Sequence, residues 1–134
     1  MEVSARYSIR RTVPFSYELA VKKAKEALAQ QGFGVLSEID MKEKLNEKLG
    51  VDFKRYLILG ACNPPLAYMA LQAEPEIGLL LPCNVIVYET GEDGSVVSAI
   101  EPRTMVELIG DNPAVAEVAD DARQRLVRAL DSIG

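Results

Sequence analysis

Seven prolines cut this 134-residue chain into short pieces, and most of them stand where an apolar run begins or ends. A residue without an amide hydrogen and with a fixed φ stops a strand or starts a helix. The prolines therefore dictate a chain of short, alternating elements. Residues 3–13 alternate apolar and polar side chains (Val3, Ala5, Tyr7, Ile9 against Arg6, Ser8, Arg10) as a half-buried strand does, and Pro14 ends it. Ser16 is placed to cap a helix whose apolar face is Ala20, Val21, Ala24, Ala27 and Leu28, with Gly32 closing it. A second strand follows from Phe33 to Ile39. This strand, helix, strand order predicts a right-handed crossover that lays the two strands parallel.

Asp40-Met41-Lys42-Glu43 has the form of a capping box, which predicts that Asp40 caps a short helix reaching Leu49 and Gly50. Phe53 to Ala61 reads as a strand. Asn63-Pro64-Pro65 then starts a helix to about Ala73, and Leu79 to Tyr88 reads as a buried strand with Pro82 at its entry. A turn at Gly91-Glu92-Asp93-Gly94 leads into Ser95 to Ile100, and a short helix follows at Arg103 to Ile109. Asn112-Pro113 begins a last helix with an apolar stripe of Val115, Val118, Ala119, Ala122, Leu126, Ala129, Leu130 and Ile133. The expected architecture is a single α+β domain over residues 1–134, a mixed sheet of about five strands with helices on one face.

Composition narrows the function classes. Lys and Arg number 15 against 20 Asp and Glu, a net charge of −5, so no concentrated cationic surface is available for a nucleic-acid backbone. No apolar stretch approaches the roughly 20 residues of a membrane helix, and no N-terminal leader pattern is seen, which leads to the expectation of a cytoplasmic protein with reduced thiols. Histidine is absent. That removes imidazole as catalytic base or metal ligand, and two cysteines 21 residues apart make no zinc pattern within one chain.

The chemistry concentrates in two similar stretches, Gly60-Ala61-Cys62-Asn63-Pro64-Pro65 and Leu81-Pro82-Cys83-Asn84, which hold both cysteines. If Asn63 caps its helix, Cys62 lies just before an N-terminus that favours an anion, either its own thiolate or a bound one. The plainer role for each cysteine is core packing. Whether the thiols meet depends on strand direction: antiparallel neighbours bring them together, and parallel strands separate them by roughly 20 Å. The candidate ligand-binding set is Cys62, Asn63, Cys83, Asp40 and Tyr68, with Cys62 and Cys83 as candidate catalytic groups and no metal. Asp40 and Asn63 each have a capping role as the simpler account, and Tyr68 has a place in the helix's apolar stripe.

Three segments carry a family resemblance: Phe33-Gly34-Val35-Leu36-Ser37-Glu38-Ile39-Asp40-Met41-Lys42, Leu59-Gly60-Ala61-Cys62-Asn63-Pro64-Pro65-Leu66-Ala67 and Gly78-Leu79-Leu80-Leu81-Pro82-Cys83-Asn84-Val85. Together they closely resemble the bacterial and archaeal proteins grouped as domain of unknown function 302. The resemblance implies a compact α+β domain, a homodimer, and a cleft lined by the Asn63-Pro64 and Leu81-Pro82 elements; it supplies no activity, and the cofactor is unknown. Within that family many members lack one or both cysteines, so a two-thiol role would belong to this branch alone. The leading expectation is a small-ligand domain with a thiol-bordered pocket for an anion or sulfur species. Its alternatives are a homodimeric interaction module with inert cysteines and a thiol-dependent redox or sulfur-chemistry enzyme.

Overall fold

Alternation along the strands sends one set of side chains to a shared apolar layer, and that layer organises the fold. The computed structural model describes residues 2–91 and 93–133, with side chains from residue 6 onward. Its strands are β1 (Glu2–Ala5), β2 (Ser8–Val13), β3 (Gly34–Asp40), β4 (Tyr56–Cys62), β5 (Cys83–Glu89) and β6 (Ser95–Ile100). Its helices are α1 (Tyr17–Gln30), α2 (Met41–Leu49), α3 (Pro64–Ala73), α4 (Arg103–Ile109) and α5 (Pro113–Ser132), and a 3-10 segment spans Pro75–Leu80. The six strands form one sheet in the order β1-β2-β6-β5-β4-β3.

The α+β class and the single sheet agree with expectation, but every pairing is antiparallel rather than mixed. The crossover through α1 does leave β2 and β3 pointing the same way. They stand on either side of β6, β5 and β4, so they never pair. The expected strand over residues 3–13 is a hairpin instead, broken at Arg6 and Tyr7. Leu79 and Leu80 belong to the 3-10 segment, and β5 starts only at Cys83, after a cis Leu81–Pro82 bond. The expected turn at residues 91–94 includes Glu92, which lies outside the described residues.

Ile9, Val13, Leu57, Leu59, Val85, Val87 and Val97 form the sheet side of the main core. Ala20, Ala24, Ala27 and Leu28 of α1, with Leu126, Ala129 and Leu130 of α5, cover them. A second cluster packs Leu66 and Ala70 of α3, Ile77 of the 3-10 segment and Met105 of α4 against Val115, Val118, Ala119 and Ala122 in the first half of α5. Thus α5 serves two cores, one under each half. The predicted caps are present: Ser16, Asp40, Asn63 and Asn112 each accept a hydrogen bond from the amide three residues on.

Candidate functional site

Between the two apolar clusters the packing is incomplete. Phe33 and Ala61 from the main core, and Leu66, Ala70, Met105, Val118 and Ala122 from the second, line a cavity of about 290 Å³. Small side chains leave this space: Ala61, Ala67, Ala70, Ala122 and Gly78 stand where larger residues would close it. Leu36 and Leu71 line it too and are exposed, which marks the side that meets solvent.

Cys62, Asn63 and Cys83 all border this cavity, so three of the five sequence candidates come together. The register explains how. Ala61 pairs with Cys83 across β4 and β5, which run antiparallel, so the end of one strand lies beside the start of the other. Alternation then sends Cys83 to the helix-covered face, with Ala61, and Cys62 to the opposite one. Side chains directed to opposite faces are poorly placed for a disulfide, and both cysteines are free thiols. Cys62 is half-buried. Cys83 is buried, and desolvation, then the neighbouring Cys62, pushes its pKa up to about 11.

Asn63 is the cavity's main polar fixture. Its Oδ1 accepts from the Leu66 amide at 3.3 Å, and its side-chain nitrogen lies over Gly32 at the end of α1. Gly60, one strand position before Ala61, sits under Ser37 and the Pro82 ring; a Cβ there would come within 2.4 Å of Ser37 Oγ and 2.9 Å of the ring. Glycine is required at this point by close approach alone. Among the described residues no Lys or Arg side chain lines the cavity, so the lining offers little to hold an anion.

The other two candidates stand elsewhere. Asp40 caps α2, its Oδ1 accepting from the Glu43 amide at 3.0 Å. Its ladder partner is Leu57, five residues before Cys62, which puts it roughly 17 Å along the sheet edge from the cavity. Tyr68 is 65% exposed on the side of α3 away from Leu66 and Ala70, neither in the core nor on the cavity wall. The apolar stripe misled there because α3 is covered on only one side. Sequence reasoning missed Phe33, Met105, Val118 and Ala122 as lining residues. Their only signal was apolar periodicity, which marks burial but not which buried faces fail to meet.

Among the described residues, no group of three or more Cys, Asp or Glu side chains is arranged to hold a metal ion, and no helix is long and apolar enough to cross a membrane.

An antiparallel sheet backed by helices, with an apolar cavity at the seam of two cores, defines a class of compact α+β domain. The model of the family described as "Domain of unknown function DUF302" matches residues 9–133, and the chain belongs to that family. A similar solved structure is the crystal structure of an uncharacterized conserved DUF302 protein from Bacillus stearothermophilus. It is 33% identical, with a TM-score of 0.87, and the match covers 97% of this chain and 100% of that one. No curated protein matches the chain.

Proposed function

We propose that this domain binds a small, largely apolar molecule in the cavity bordered by Cys62, Asn63 and Cys83. The observation behind this reading is the cavity itself, about 290 Å³ with an apolar lining bordered by one amide and two cysteines. Its size is near the lower end of the roughly 300–1,000 Å³ of small-molecule sites, and a few polar groups on apolar walls are their usual make-up. The absence of a cationic lining residue favours an apolar body over the anion first expected.

The test is ligand-observed NMR with toluene. Binding to the wild type should be lost in Ala67→Phe, which fills the cavity from a half-buried position. Equal binding by a folded Ala67→Phe variant would reject the site.

A homodimer is a second reading, supported by the exposed apolar Leu36 and Leu71 at the cavity's open side and the neighbouring Leu79, 84% exposed. Sedimentation velocity should then give a dimer that Leu79→Glu weakens; a monomer at every concentration rejects this reading.

The redox or sulfur-chemistry reading, which takes Cys62 as its nucleophile, gains no second one from Cys83, because a thiol with a pKa near 11 is about one part in a thousand thiolate at pH 8. On Cys62→Ser protein, alkylation of Cys83 should be slow at pH 8 and rise about tenfold per pH unit until the pH nears that value. Fast, pH-independent reaction near pH 7 would restore a nucleophilic role. With reduced thiols this reading also suits a cytoplasmic setting.

A further inference from the structure

A second hollow of about 540 Å³ lies beyond the first, and Cys83 and Met105 line both. At that point the partition between the two is formed by these side chains. The chain runs along the same boundary, with Leu80 facing the second hollow and Leu81 and Pro82 the first. From this arrangement we propose that the ligand is an unbranched aliphatic monocarboxylate. Its chain threads from the outer hollow past Met105 into the thiol-bordered cavity, and its carboxylate rests at Arg6. The proposal rests on the ligand reading above and names the class of ligand for that same cavity.

Three observations carry it. First, the route carries charge at one end only, and the amide of the inner cavity, Asn63, is engaged in capping α3. Among the described residues nothing charged lines the inner cavity, and Arg6 and Glu107 are the charged side chains lining the outer one. A molecule that fits has a long apolar body and a single ionic terminus. Second, Arg6 can take an anionic terminus. It meets Glu107 at 3.6 Å, with the two side chains 90% and 62% exposed, so part of its five-donor guanidinium remains available to a carboxylate approaching from the side away from Glu107. Third, the partition can yield. Methionine has three rotatable bonds and adapts its shape to irregular space. The helix that carries Met105, α4, has only seven residues and ends at Gly110 with φ of +88°.

The experiment is calorimetric titration with hexanoate, octanoate and decanoate, each below its micelle concentration, with toluene alongside. Each added methylene buried in the passage should tighten binding about fourfold. Arg6→Ala should weaken decanoate by up to about fivefold, as expected for an exposed ion pair, and leave toluene unchanged. Leu108→Asp, at an exposed position on the outer hollow, should weaken decanoate more strongly, again without effect on toluene. Toluene binding together with a flat response to chain length, or decanoate binding untouched by both variants, overturns the threaded acid and leaves the apolar cavity standing. Failure of both toluene and the acids to bind overturns the two readings together.

Discussion

Replacing Arg123 by Leu is expected to cost about 3 kcal/mol, roughly 10 °C in melting temperature. Glu101 is the reason. Its side chain is 8% exposed, at the junction of β6, α4 and α5, where one carboxylate oxygen accepts from Arg123 Nε at 2.7 Å and the other from the Arg103 amide at 3.2 Å. Its backbone carbonyl also accepts from Thr104 Oγ1 at 2.8 Å, and its amide donates to the Tyr7 carbonyl at 2.8 Å. Removing the guanidinium leaves a desolvated charge with half its partners, which is costlier than never having had the pair. The figure sits at the low end of the range for buried pairs because Arg123 retains 23% exposure. Denaturant unfolding of Arg123→Leu, Glu101→Gln and the double variant checks it. The double variant should recover part of the loss, and a double variant no better than Arg123→Leu would show that packing by the arginine stem is what matters. Because Glu101 ties down the start of α4, Arg123→Leu should also loosen the helix that carries Met105.

Gly32→Ala is expected to destabilise the fold by about 2–3 kcal/mol and to disturb the cavity at the same time. Gly32 follows α1 with φ of +83°, a left-handed conformation that costs an L-residue about 1–2 kcal/mol. Its amide donates to Ala29 and the Phe33 amide to Leu28, closing the helix. A Cβ there would also approach the Asn63 side-chain nitrogen to 2.9 Å, so the added methyl pushes on the cap of α3, worth about 1 kcal/mol. The comparison that isolates the second effect is Gly50→Ala. Gly50 has φ of +68° at the end of α2 but open space around its Cα, so its variant should show the conformational cost alone. Equal losses at the two positions would mean that the Gly32 to Asn63 contact carries no energy. The α3 cap would then be independent of α1.

Local chemistry made much of this molecule legible. Asn63-Pro64, Asn112-Pro113, Ser16 and Asp40 announced helix starts because the groups that satisfy a helix's first amides lie within three residues of them. Apolar runs within Leu79 to Tyr88 and Ser95 to Ile100 announced strands for a similarly local reason, the first strand beginning later than its run. The pairing of β4 with β5, by contrast, turns on which strands neighbour one another, and that is a property of the whole sheet. It brought Cys62 and Cys83 to one cavity edge while pointing their side chains to opposite faces.

Asp40 and Tyr68 show the limit from the other side. Each sits at a position whose local signal was read correctly or plausibly, yet distance along β4 removes Asp40 from the cavity and the orientation of α3 turns Tyr68 to solvent. What the amino-acid order determined by itself was the identity of the elements, their caps and the apolar faces they must bury. Only the tertiary structure decided where those faces fall short of one another. A cavity is the volume left between surfaces from Phe33, Ala61, Ala70, Met105 and Ala122, residues far apart in the chain, and no local rule along the chain encodes a gap.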